Sequence, residues 1–237
     1  MISKKNKIYL FSIFYKFLHS KIRYLTFQKY FSIERANLAY SQEGEDLILA
    51  RFFEKLDEGF YCDVGAFHPK QFSNTHLLYL RGWTGINIDP TPGMKVLFDK
   101  YRPKDINLEL GISPSTEKKL KYTMYENPVY NSFKRSSVNE SRIVKEIEVN
   151  VSSLEEILKK YLPKSKEFCF LNIDVEGYDF EVLISNNWDV FRPKLIAIEF
   201  YGKSYDEFKV SNISKFLTEK GYTFFAKTVN TYFMVLP

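Results

Sequence analysis

Short apolar runs alternate with stretches of helical periodicity along most of the chain. Runs rich in β-branched and aromatic residues predict strands at residues 59–67, 84–89, 106–112, 168–174 and 195–200. Helices are predicted to begin at residues 73–75 and near residue 152, and to occupy residues 94–101, 178–185 and 212–220. Two closing strands, at residues 222–227 and 231–236, are separated by only a few residues and therefore predict an antiparallel hairpin.

This order of elements predicts the class of fold. Strands that alternate with helices build a mostly parallel, doubly wound α/β sheet, and the last pair adds an antiparallel terminal hairpin. Residues 113–150 are less regular, and we expect extra strands or a flap there. The length of 237 residues suits one large domain, so we assign residues 36–237 to it and residues 1–35 to a separate N-terminal arm.

Basic charge is concentrated in this arm. Residues 1–35 contain eight Lys or Arg and one Glu, so they carry a charge of +7, whereas the rest of the chain carries −2. A domain without a basic face is not expected to bind nucleic acid. The apolar run at residues 8–18 is too short to span a membrane, and no small-residue cleavage site of a secretory signal follows it.

The basic, aromatic-rich arm leaves three interpretations open. It forms a helical cap on the domain, it makes a peripheral contact with an anionic membrane surface, or it is a disordered arm. The expected location is the cytoplasm. If the arm makes a peripheral membrane contact, the protein is expected at the inner face of the membrane. Cys62 and Cys169 lie inside apolar runs, and we interpret them as small core residues that stay reduced. The sequence predicts no oligomeric state.

Four acidic residues stand at the carboxyl ends of predicted strands, namely Asp63, Asp89, Asp174 and Glu199. The ligands of doubly wound sheets bind at this edge, near the point where the strand order reverses. A buried and unpaired carboxylate costs on the order of several kcal/mol. Four such residues inside otherwise apolar runs therefore indicate a ligand site.

The turn after the first strand indicates which ligand binds. Gly65 allows a tight turn, Asp63 can pair with a cationic group, and Asp89 can accept both ribose hydroxyls of an adenosine. Free N–H groups at the predicted helix start, residues 73–75, can bind a carboxylate. A dinucleotide-binding turn needs two further glycines beside the pyrophosphate, but bulky residues such as Phe67 stand there, which disfavours a nicotinamide oxidoreductase.

Residues 174–177, with the sequence DVEG, form the second candidate group. If the first and fourth predicted strands are neighbours, Asp174 faces the same cleft as Asp63. Asp174, Glu176 or His68 can orient a substrate hydroxyl and accept its proton, and we rank them as catalytic candidates in that order. A divalent cation held with His68 is left open, but no metal site is predicted. Alternatively, Glu176 caps the next helix, Asp174 bonds backbone amides and His68 stabilises its turn.

Several motifs in order resemble the FkbM-type methyltransferases, which use S-adenosylmethionine. They are YSQEGED at residues 40–46, YCDVGAFHP at 61–69, SNT at 73–75, GWTGINIDP at 82–90 and LNIDVEGY at 171–178. The resemblance implies a Rossmann-like seven-strand fold and O-methyl transfer to a hydroxyl of a sugar, glycan, polyketide or related natural product. It also implies that Gln42 helps to close the cofactor site. The expected cofactor-binding residues are then Gln42, Asp63, Gly65, Phe67, Asn74, Thr75 and Asp89.

The mechanism expected from this resemblance is direct in-line transfer. The sulfonium methyl group is already activated, so the enzyme mainly aligns an oxygen nucleophile and removes its proton. Residues 122–133 are rich in Tyr and Asn, which suit a sugar, and we expect them to form the acceptor wall. The alternative function is a non-catalytic cofactor-binding module that docks on a membrane-associated glycan-assembly complex through the arm.

Overall fold

The computed structural model of the chain describes residues 37–134, 142–202 and 204–237. The predicted arm, residues 1–35, lies outside these ranges, so the three interpretations of it stay predictions. The helices are α1 (Glu45–Phe52), α2 (His76–Leu80), α3 (Met94–Tyr101), α4 (Leu154–Tyr161), α5 (Asp179–Ile184), α6 (Tyr205–Val210) and α7 (Asn212–Glu219). The strands are β1 (Phe60–Val64), β2 (Thr84–Ile88), β3 (Ile106–Leu108), β4 (Gly111–Ile112), β5 (Lys119–Tyr125), β6 (Ile143–Ser152), β7 (Phe168–Ile173), β8 (Leu195–Glu199), β9 (Thr223–Lys227) and β10 (Thr231–Val235).

Seven strands form one sheet in the order β3-β2-β1-β7-β8-β10-β9. The pairs from β3 to β8 are all parallel, whereas β10 runs antiparallel to both of its neighbours, β8 and β9. This confirms the predicted Rossmann-like α/β fold with an antiparallel terminal hairpin. It also places β1 and β7 side by side at the reversal of strand order, where such sheets bind their ligands.

The two central strands are buried because helices cover both faces of the sheet. Every residue of β1 and of β7 is buried, which matches their nearly continuous apolar sequence. Alternate residues of β1 pack into different clusters, with Cys62 and Val64 on one face and Tyr61 on the other. Cys62 and Cys169 are buried free thiols, as predicted.

The structure corrects the predicted strand at residues 106–112. That segment divides into β3, in the large sheet, and β4, which joins a second sheet of order β4-β6-β5. At Gly111, the first residue of β4, the Phe133 ring packs against the backbone, and a Cβ at this position would lie 2.2 Å from that ring. The second sheet and a short 3₁₀ helix (Pro128–Tyr130) are the extra elements expected within residues 113–150.

The first helix after β1 also begins later than predicted. α2 starts at His76, so residues 73–75 precede it rather than form its first turn. The Ser73 hydroxyl accepts the His76 N–H, 3.1 Å away, which removes one of the amides expected to bind a ligand. Within the described ranges, no helix is long and apolar enough to cross a membrane.

Candidate functional site

A cavity of about 230 Å³ opens at the carboxyl ends of the central parallel strands. The strand ends, the segment before α1, the loop before α2 and the second sheet all contribute to its wall. Eight of the ten predicted site residues line it, namely Gln42, Asp63, Gly65, Phe67, Asn74, Asp89, Asp174 and Glu176. The structure therefore brings most of the candidate set to one place.

The two remaining candidates do not line the cavity. The Nδ1 atom of His68 accepts the N–H groups of Lys70 and Gln71, at 3.1 and 2.9 Å. His68 therefore stabilises its own turn, which is the structural role that the sequence left open. Thr75 is fully buried, and its hydroxyl donates to Asp63 at 2.6 Å instead of contacting the cavity.

The turn after β1 requires glycine at position 65. Gly65 has a φ of +82°, and a Cβ there would lie 1.7 Å from the carbonyl oxygen of Asp174. The N–H groups of Gly65 and Ala66 both donate to the carbonyl of Ile88, at 2.9 and 3.1 Å. The turn is thus fixed against the end of β2 and open to the cavity.

Asp63 is held at both carboxylate oxygens. Besides the Thr75 hydroxyl, the side-chain amide of Asn172 donates to it at 2.9 Å. Asp63 and Asn172 are paired in the register of β1 and β7, so the two side chains extend from adjacent strands. Burial raises the pKa of Asp63, while the hydrogen bond from Thr75 and the charge of Arg102 oppose that rise.

Asp89 ties the end of β2 to the neighbouring loops. Its carboxylate accepts the N–H of Phe67 at 2.9 Å and the N–H of Thr91 at 2.8 Å. Burial raises the pKa of Asp89 to about 6. The Phe67 ring stacks on Phe72 at 6.3 Å, and both residues have a positive φ, so the loop presents two parallel rings at the cavity.

A second group of carboxyls lies at the ends of β7 and β8. Carboxyl oxygens of Asp174, Glu176 and Glu199 all lie within 4.8 Å of one another. Burial, followed by repulsion from Asp174, raises the pKa of Glu199 to about 11. Three carboxyl groups at this spacing could also serve as ligands of a divalent cation.

Glu176 does not cap the helix that follows it. The N–H groups of Val175 and Gly177 donate to Asp179, at 3.2 and 3.0 Å, so Asp179 fixes the loop before α5, and the N-cap residue Tyr178 makes no side-chain capping bond. The carboxylate of Glu176 instead accepts the Tyr201 hydroxyl at 2.9 Å. Glu176 has a φ of +55°, an unfavourable conformation for a non-glycine residue, and its side chain lines the cavity.

Sequence reasoning missed three residues of this region. Glu199 was recognised as an acid at a strand end, but it received no role. Tyr201 and Asp179 carry no motif of their own, since their roles depend on the loop between β7 and α5. Within residues 122–133, the expected acceptor wall, the residues that line the cavity are Tyr122, Pro128, Val129, Tyr130, Asn131 and Phe133.

The charged side chains that line the cavity, among the described residues, are all acidic. Among the described residues that line it there is no Lys, Arg or His. Seven carboxyl groups line it, those of Glu43, Glu45, Asp63, Asp89, Asp174, Glu176 and Glu199. Such a wall favours a cationic ligand and opposes an anionic one.

The seven-strand order, its antiparallel β10 and the cavity at the reversal point define the Rossmann-like methyltransferase class of fold. A family model described as the methyltransferase FkbM domain matches residues 63–224, and the chain belongs to that family. The chain is therefore a methyltransferase, and the resemblance seen in the sequence is confirmed. No curated protein matches it.

Proposed function

We propose that the protein transfers a methyl group from S-adenosylmethionine to a hydroxyl oxygen of a sugar, glycan or related natural product. The observation that carries this proposal is the cavity lined by carboxyl groups without a basic side chain among the described residues. S-adenosylmethionine brings a sulfonium and an ammonium group, which such a wall attracts. A nicotinamide dinucleotide brings two phosphates, which it repels.

The residues at the ends of β1 and β2 fit this cofactor. Asp63 carries a buried carboxylate suited to an ammonium group, and Asp89 carries one suited to the two ribose hydroxyls. Gly65 lines the cavity without a side chain, and its backbone packs against the Asp174 carbonyl, where a Cβ would lie 1.7 Å away. When bound, the cofactor supplies a methyl group that is already activated for transfer.

Asp174 is the residue that we assign to the proton of the acceptor hydroxyl. It follows β7 and lines the cavity, within 4.8 Å of a carboxyl oxygen of Glu199. Burial, followed by repulsion from Glu176, raises the pKa of Asp174, so its ionised form takes up a proton more readily. Asp174 would accept the proton of the acceptor hydroxyl as the methyl group passes from the sulfonium sulfur to that oxygen.

The part of the cavity wall that residues 130–133 form is suited to a sugar. Tyr130, Asn131 and Phe133 combine aromatic faces with an amide, a combination that packs against the C–H faces of a sugar and bonds its hydroxyls. Tyr201 adds an exposed hydroxyl that donates to Glu176 at the same cavity. These groups support a neutral, hydroxyl-rich acceptor.

Labelled methyl transfer to neutral glycan fragments tests this proposal. The wild-type chain is incubated with S-adenosylmethionine that carries a labelled methyl group, and products are analysed by mass spectrometry for an O-methyl ether. Asp174→Asn should bind the cofactor and lose transfer by a factor of about 10² or more. Asp57→Asn, the same chemical change at an exposed residue that does not line the cavity, is the matched control. Full transfer by Asp174→Asn would refute the assigned base, and cofactor binding without any transfer would favour the non-catalytic alternative.

A further inference from the structure

Both oxygens of the Asp63 carboxylate are fixed by buried side chains. Thr75 donates to Oδ2 at 2.6 Å, and the amide of Asn172 donates to Oδ1 at 2.9 Å. The exposed fractions are 2% for Asp63, 0% for Thr75 and 3% for Asn172, so water does not compete for these bonds. The carboxylate also lines the cavity, where its remaining lone pairs are open to a ligand.

The direction of the Thr75 bond is set by Arg102. The guanidinium of Arg102 donates to the Thr75 oxygen at 3.0 Å, and a guanidinium can only donate. The single hydroxyl proton of Thr75 is therefore left to point at Asp63. Arg102 is itself fully buried, and Asp105 fixes it through an ion pair of 2.8 Å.

Thr75 does not serve the helix that it precedes. It occupies the N-cap position of α2, where a threonine hydroxyl ordinarily accepts an N–H of the first turn. In this chain its side chain makes no capping bond, and Ser73 accepts the His76 N–H instead. The hydroxyl of Thr75 therefore bonds Asp63 and does not cap α2.

The orientation of the Asn172 amide is set in the same way. Its oxygen accepts the amide of Asn74 at 2.9 Å, so its nitrogen is the atom that faces Asp63. Asn74 lines the cavity as well. Two independent donors, one from each side, therefore hold the plane of one carboxylate.

The buried network carries more negative than positive charge. Arg102 is its one cation among the described residues, and it faces two carboxylates, Asp63 and Asp105. Asp105 takes the direct ion pair with Arg102, whereas the Thr75 hydroxyl lies between Arg102 and Asp63. A cationic group that binds in the cavity next to Asp63 would offset the excess negative charge of this network.

We propose that Thr75 and Asn172 are positioning residues, which hold the Asp63 carboxylate in the orientation that binds the ammonium group of the cofactor's amino-acid part. This inference rests on the proposed use of S-adenosylmethionine. It assigns a binding role to Thr75 that acts through Asp63 and not through contact with the cofactor. It also gives Asn172, a neutral residue of β7, a part in cofactor affinity.

Two probes that differ only in the amino-acid part provide the test. S-adenosylhomocysteine contains the ammonium group, whereas 5′-methylthioadenosine lacks the whole amino-acid part. Calorimetry of Thr75→Val should show about tenfold weaker binding of S-adenosylhomocysteine, because a hydrogen bond to a charged group is lost. The affinity for 5′-methylthioadenosine should change by less than about twofold. Thr75→Ser keeps the hydroxyl and should restore most of the affinity for S-adenosylhomocysteine.

Thr84→Val makes the same chemical change at a half-buried threonine at the start of β2, which does not line the cavity, and it should leave both affinities as in the wild type. Asn172→Leu repeats the test at the other oxygen of Asp63 and replaces Thr75→Val if that variant unfolds. Equal losses for both probes, or no loss for either, would overturn this inference while the cofactor assignment stands. A wild-type chain that binds neither probe would instead refute the proposed function.

Discussion

The carboxylate of Asp89 accepts the backbone N–H of Phe67 at 2.9 Å, which joins the end of β2 to the turn after β1. The bond fixes the loop that carries the two stacked rings of Phe67 and Phe72. It also holds the Asp89 side chain at the cavity wall, on the same side as Asp63. The two acids assigned to the cofactor are therefore fixed by different partners, one by backbone amides and the other by side chains.

Cofactor affinity should depend on pH through Asp89. Burial raises the pKa of this residue to about 6, and the ionised form is the better acceptor for ribose hydroxyls. The affinity for S-adenosylhomocysteine should therefore fall as the pH drops through 6, and calorimetry between pH 5 and 8 measures it. Asp89→Asn should bind more weakly at pH 8 and lose most of the pH dependence. The same pH dependence in Asp89→Asn would assign the titration to another group.

The same pKa has a consequence for stability. The pKa of Asp89 is about 6 in the folded chain but about 3.9 in an unfolded one, so its ionisation opposes folding. Its contribution to the free energy of unfolding should be most favourable below pH 4 and decline as the pH rises to 6. Chemical unfolding of Asp89→Asn and the wild type over this range measures the difference. We expect the stability of the variant relative to the wild type to increase between pH 4 and 6.

Gly65→Ala should prevent the turn after β1 from forming. The added Cβ would lie 1.7 Å from the Asp174 carbonyl, so the central strands must separate, and we expect a loss of at least about 3 kcal/mol. Gly93→Ala is the matched control because Gly93 has a similar φ of +90° with no atom within 4 Å. That variant should lose only about 1 kcal/mol. Equal losses in chemical unfolding would contradict the close packing at Gly65.

Glu176→Gly should stabilise the fold and weaken methyl transfer. Glu176 has a φ of +55°, and glycine adopts this conformation at a lower cost, so the free energy of unfolding should rise by up to about 1 kcal/mol. Transfer should fall, because the partner of the Tyr201 hydroxyl is lost from the cavity. Glu176→Gln keeps the backbone strain and an acceptor for Tyr201, which makes it the control. A less stable glycine variant would contradict the strain at this position.

The sequence was most informative where local pattern and sheet geometry agree. Asp63 and Asp174 each follow an apolar run, and parallel strands bring their ends to one edge, so their shared cavity was predictable. The division of residues 106–112 between two sheets was not predictable, because Gly111 pairs with Val151, a distant residue of β6. The local sequence of a strand does not show which distant strand it will pair with.

The roles of individual polar side chains were harder to infer. Thr75 was expected to contact the cofactor, but its hydroxyl points to Asp63 because Arg102, 27 residues further along, donates to its oxygen. His68 was a candidate base, yet two nearby backbone N–H groups occupy its Nδ1 atom. Which atom a polar side chain bonds depends on partners that only folding brings close to it, so the sequence alone did not show these roles.

Calorimetric titration of the wild-type chain with S-adenosylmethionine, followed by the same titration of Asp63→Asn, tests the central claim most directly. We expect one-to-one binding by the wild type and at least about tenfold weaker binding by Asp63→Asn, since a charge-assisted bond to the ammonium group is lost. NAD titrated under the same conditions should not bind. No binding of S-adenosylmethionine by the wild type, or unchanged binding by Asp63→Asn, would contradict a cofactor site at the end of β1.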